Sequence, residues 1–153
     1  MTAKTLPRDL NCFICGRDNP IGLKLHFKSL DGLRVAAKFN PHNHFNGFKG
    51  MLHGGMISAV LDDAMDWALY NSTGRLYVTS QLTVNFKKPV PVDDELEVIA
   101  YSVKHEDGRT RKLENARAEL VNSVGDVLAV AEGKFFQVPA QHEKELLKTF
   151  AHC

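Results

Sequence analysis

Three aspartates, Asp62, Asp63 and Asp66, interrupt an otherwise apolar run, Met51-Leu-His-Gly-Gly-Met-Ile-Ser-Ala-Val-Leu-Asp-Asp-Ala-Met-Asp-Trp-Ala-Leu-Tyr70. From about Gly54 this run reads as one helix of roughly 25 Å. Met56, Ile57, Val60, Leu61, Ala64, Met65, Trp67, Ala68 and Leu69 leave it almost no polar face. A helix that is apolar all round is a buried helix, and a buried carboxylate is costly unless it is paired or put to use. Burial disfavours the charged form and raises basicity. Such a group suits a general base on water, or a nucleophile toward an activated carbonyl.

His53-Gly54-Gly55 stands where the helix begins. The first N–H groups of a helix lack intrahelical acceptors and carry the positive end of its dipole. Two glycines allow a ligand to approach closely, so this is a donor site for an oxygen that gains charge during reaction. Gly55 and Asp62 share one helix face with about 10 Å between them. Asp66 follows on that face one turn later, and Asp63 points roughly 100° away. A base and an oxyanion donor with no evident acid fit a thioester better than an amide, because a thiolate leaves without being protonated. The competing reading makes the aspartates caps of a solvated edge, or partners of Lys and Arg at a subunit interface. Asp63 and Asp66 are assigned to that reading.

The elements around the helix read as strands. Leu23–Phe27 alternates apolar and polar, Asp31-Gly32 signals a hairpin, and Leu33–Phe39 returns. Residues 40–50 form a loop, and Gly74 is a plausible helix terminator. In the next strand Leu76, Val78, Leu82, Val84 and Phe86 fall on one face, with Tyr77, Thr79, Gln81, Thr83 and Asn85 on the other. Further strands are expected over 94–103, 110–121 and 126–138, joined by hairpin-length turns. Residues 1–20 read as irregular, and 139–153 as a short helix or frayed tail. One long helix covered by antiparallel strands is an α+β arrangement, and the 153 residues suit a single domain.

The net charge of +1 excludes a strong field for nucleic acid or anionic membranes. No run is long enough to span a bilayer, no signal stretch opens the chain, and the expected location is cytoplasmic. Cys12, Cys15 and Cys153 are too few for a disulfide framework. Cys12-Phe-Ile-Cys15 has metal-ligand spacing, but a zinc site needs two more ligands. His26, His42 and His44 have no recognised spacing for that role. The expectation is therefore small apolar side chains packing a loop, with no metal.

With these residues in view, the chain resembles the hotdog-fold acyl-CoA thioesterases of the phenylacetyl-CoA (PaaI-like) type. The likeness rests on Asn46-Gly-Phe-Lys-Gly-Met-Leu-His-Gly-Gly55 with Asp62 behind it, on residues 78–90 and on residues 125–135. Residues 12–23 resemble an N-terminal segment of one bacterial branch. The resemblance implies an antiparallel sheet wrapped around one long central helix. It implies homodimers with active sites at the dimer interface, and dimers that pair into homotetramers. It implies acyl-CoA as substrate, coenzyme A being part of that substrate, and no cofactor. In it Asp62 is the base or nucleophile, the Gly55 N–H binds the thioester oxygen, and His53 shapes the loop at the helix start. Thr79, contributed by the partner subunit, holds the attacking water, with Ser80 as competitor if the strand slips by one. Asn46 falls near an Asn or Gln of the family. Lys87, Lys88, Arg109, Arg111 and Arg117 are candidates for coenzyme A phosphates. Phe45, Phe48 and Met51 are candidates for an acyl pocket. The alternatives are a non-catalytic acyl-CoA binder and, against the His-Gly-Gly spacing, an acyl-thioester hydratase or dehydratase.

Overall fold

The computed structural model describes residues 4–151, so Cys153 lies outside them. The elements in chain order are β1 (Lys4–Thr5), β2 (Arg8–Asp9), β3 (Lys28–Ser29), β4 (Arg34–Phe39), α1 (Gly54–Thr73), β5 (Tyr77–Phe86), β6 (Leu96–Ser102), β7 (Leu113–Val121), β8 (Val127–Gln137), α2 (Ala140–Leu147) and β9 (Phe150–Ala151). Seven strands make one antiparallel sheet in the order β1-β3-β4-β6-β7-β8-β5, and β2 pairs with β9. α1 packs against β4, β5, β6, β7 and β8. Five strands spaced by about 4.8 Å are wider than one helix. A single helix reaches all of them only if the sheet curls around it.

The core follows from the sequence pattern. Ile57, Val60, Leu61, Ala64, Met65, Ala68 and Leu69 of α1 are buried among Val35, Leu96, Val98, Leu120, Ala129 and Phe135 of the strands. Gly74 ends the helix with φ 70° and returns its N–H to the Tyr70 carbonyl, as expected. The helix runs through Thr73, beyond its predicted end near Tyr70. Ser72 and Thr73 fold their hydroxyls back onto the Leu69 carbonyl, so their polarity does not require a break.

Two expectations are corrected. Leu23–Phe27 keeps its alternating burial but is not a sheet strand. Lys24 takes a positive φ of 57°, and Leu23 and Leu25 donate to the carbonyls of Phe13 and Ile14. The N-terminal segment is more ordered than its composition suggests, since β1 joins the main sheet and β2 pairs with the chain's far end. Of the two readings of the tail, the short helix holds, as α2. Glu143 of α2 is buried and accepts from Arg75 Nε at 3.0 and 3.1 Å and from the Leu76 N–H. Phe150 packs against Trp67 and Tyr70.

Candidate active site

The antiparallel return after Gly74 lays β5 alongside α1. Tyr77 faces the core, which puts Thr79 on the helix side two residues later. The Thr79 hydroxyl there donates to Asp62 Oδ1 at 2.7 Å. Burial pushes the Asp62 carboxyl above its usual value, and the Thr79 hydrogen bond opposes that shift. Ser80 is the extra residue of a β-bulge, since Thr79 pairs with Phe135 and Gln81 with the adjacent Lys134. A bulge re-aims the side chains after it. Tyr77 is therefore buried and Val78 exposed, while Leu82 and Val84 point inward. Strict alternation had put Val78 with Leu82 and Val84, and the bulge breaks that phase. Thr79 and Asp62 of one chain meet directly.

Asn46 and Leu52 form an antiparallel bridge, and the His53 N–H donates to the Phe45 carbonyl. This tight loop sets His53 as the N-cap of α1, where its Nδ1 accepts the Gly55 N–H at 2.8 Å. An accepting Nδ1 places the proton of the neutral ring on Nε2. The Gly55 N–H is thus engaged by a side chain of its own cap. Asn46 Oδ1 is buried without a hydrogen-bond partner. Phe86, at the far end of β5, packs over the helix start, close enough that a Cβ at Gly54 would lie 3.5 Å from its ring.

The site residues thus fall into two groups. Asp62 and Thr79 form one. His53 and Gly55, with Asn46 in the preceding loop, form the other, about two helical turns away along α1.

Residues 49–107 match the family model described as Thioesterase superfamily. The structure of the E. coli PaaI protein from the phenylacetic acid degradation operon matches with a TM-score of 0.67 at 20% identity, over 76% of this chain and 81% of that one. The fold is the hotdog fold. A second hotdog-like match, a Streptococcus mutans protein solved bound to acetyl CoA, gives a TM-score of 0.65 at 22% identity over 74% and 88% of the two chains. Acyl-coenzyme A thioesterase THEM4 from Bos taurus is 32% identical over 81 residues, which is 52% of this chain. The matched segment spans only 32% of that relative's own length.

Other candidates occupy ordinary positions on the hotdog frame. Lys88 lies 3.5 Å from Asp126, Arg111 pairs with Asp107 at 2.9 Å, and Arg117 pairs with Glu132 across β7 and β8 at 3.4 Å. Lys87 and Arg109 are exposed. Phe48 and Met51 stand on the surface and Phe45 is half-buried. The largest departure from expectation is at Cys12, Cys15, Asp63 and Asp66. Residues far apart in sequence line one cavity of about 180 Å³ with Trp67, Tyr70 and Phe150. The Cys12-x-x-Cys15 spacing was legible, but nothing in the sequence linked it to α1. No helix among the described residues is long and apolar enough to cross a membrane.

Proposed function

We propose that this chain hydrolyses acyl-CoA thioesters, with Asp62 as general base. The observation that carries the reading is the Thr79–Asp62 hydrogen bond on a helix whose N-terminus presents a glycine N–H. Thr79 occupies one carboxylate oxygen and leaves Asp62 Oδ2 to act on water. The hydroxyl lone pairs of Thr79 help hold that water. It attacks the thioester carbon and gives a proton to Asp62. The developing oxyanion takes the Gly55 N–H, which His53 Nδ1 releases. Collapse of the tetrahedral intermediate breaks the C–S bond, and the Asp62 proton passes to the departing thiolate. Asp62 is made more basic by burial, as a base working near neutrality needs.

The geometry favours assembling this site from two chains. Gly55 and Asp62 of one chain lie about 10 Å apart along α1, whereas an attacking atom sits about 3–3.5 Å from the carbonyl carbon. Asp62 and Thr79 of one copy facing Gly55 of another remove that separation. β5 ends the sheet and is largely exposed along its length, so it supplies an edge for a homodimer.

A thiol-release assay with acetyl-, hexanoyl-, lauroyl-, benzoyl- and phenylacetyl-CoA tests the reading. Turnover of one acyl group well above the others is expected. Binding without release of thiol on the whole panel sinks hydrolysis and leaves an acyl-CoA binder.

A further inference from the structure

The cavity behind α1 holds acidic groups and no protein cation. Asp9, Cys12, Cys15, Asp63 and Asp66 line it, and no Lys, Arg or His does so among the described residues. Asp9 is already satisfied by the Asn11 N–H and the Thr149 hydroxyl. The others are not. Asp63 Oδ2 and Asp66 Oδ1 are buried without hydrogen-bond partners, in residues that are half-buried as a whole. Orphaned carboxylate oxygens of this kind are costly. Ligand atoms of Cys12, Cys15 and Asp63 all lie within 4.8 Å of one another. Tetrahedral zinc holds sulfur and oxygen ligands about 3.5 Å apart, and Cys12 Sγ and Asp63 Oδ1 are 3.7 Å apart.

The loop is shaped for metal-bound sulfur. The Cys15 N–H donates to Cys12 Sγ at 3.3 Å, which favours the thiolate. The turn closes at Gly16, where a Cβ would run into the Cys12 carbonyl oxygen. Only glycine fits so close an approach.

We propose that Cys12, Cys15 and Asp63, with Asp66 as second carboxylate, bind one thiophilic divalent cation, zinc, and so fasten the N-terminal loop to the back of α1. Two thiolates and one carboxylate within reach of one another, with a second carboxylate lining the same cavity, are a donor set suited to zinc. Sequence spacing supplied half of the set, and the fold brings the other half from α1.

The test is metal content of the full chain, reconstituted with zinc under reducing conditions and then desalted. About one zinc per chain is expected, and cobalt in its place gives a thiolate-to-metal charge-transfer band that Cys12→Ser weakens by about half or more. Asp63→Asn keeps size and removes charge. It is expected to weaken zinc binding at least about tenfold and to lower the melting temperature in zinc but not in chelator. Substoichiometric zinc after reconstitution overturns the proposal. So does a Cys12–Cys15 disulfide in the reduced, reconstituted protein. So does an Asp63→Asn variant that is more stable than the parent in both conditions, the result expected if Asp63 were merely an unpaired buried carboxyl.

Discussion

Replacing Thr79 with valine removes one hydroxyl and keeps the side-chain shape. In this structure the hydroxyl makes one hydrogen bond to a carboxylate, at 2.7 Å from Asp62 Oδ1. Hydrogen bonds to charged groups contribute about 1.5–3 kcal/mol. The pair is open to solvent, so the low end applies, and about tenfold in rate follows from about 1.4 kcal/mol. The loss should fall on kcat with KM little changed, because the hydroxyl positions the base and its water, not the acyl group. Thr79→Ser, which restores the donor, should recover most of the rate. Asp62→Asn should cost about 10²–10⁴-fold, the range of a general base. The decisive measurement is the double variant, assayed by single-turnover thiol release at high enzyme concentration. If Thr79 works through Asp62, Thr79→Val costs nothing further once Asp62 is Asn, and the two effects fail to add. A second tenfold loss in the double variant, or unchanged kcat in Thr79→Val alone, refutes the coupling and returns Thr79 to the role of an ordinary strand residue.

Two further predictions concern the frame that carries the site. A Cβ at Gly133 would lie 2.5 Å from the Phe135 ring and 3.2 Å from Met65 Cε, so Gly133→Ala should destabilise by about 1–3 kcal/mol through overpacking; an unshifted denaturation midpoint would show that β8 has room there. Glu143→Gln removes the charge that meets Arg75 Nε and the Leu76 N–H, and should cost about 1–3 kcal/mol while speeding protease cleavage of the segment after Val138; an unchanged cleavage pattern would mean that Phe150 packing alone holds the tail.

Most of the architecture was legible because the signals were local. The apolar wrap of Met56 to Leu69, the Asp31-Gly32 turn and the Gly74 stop each act within a few residues, and each is where it was expected. Pairing between distant segments was not legible. Nothing local distinguishes Arg8 and Asp9 from loop residues, and they become a strand only because Phe150 and Ala151 return beside them. The β5 bulge was equally hidden. Ser80 has no unusual local preference, and the extra residue is defined by its register against β8. The same rule governs the candidate site. Gly55 and Asp62 could be placed on one helix face from their spacing, whereas the Thr79–Asp62 contact needed the three-dimensional return of β5.

The three aspartates of α1 show how one helix gives identical side chains different chemistry. A carboxyl's basicity and reach are set by what surrounds it. Asp62 lies under β5, where Thr79 meets one oxygen and the other stays accessible, so it is raised in pKa yet free to exchange a proton with water. Asp63, about 100° further round, turns to the N-terminal loop and the Cys12 sulfur. Asp66, three residues on, lines the same cavity with an unpartnered oxygen. Burial raises both well above the usual carboxylate range, and the neighbouring negative charges add to the rise at Asp66. Among the described residues neither meets a Lys, Arg or His in the cavity that both line. The proposed catalytic use takes in Asp62 alone. The other two require a positive charge from outside the chain or a proton held at neutral pH, and the proposed zinc ion supplies the first.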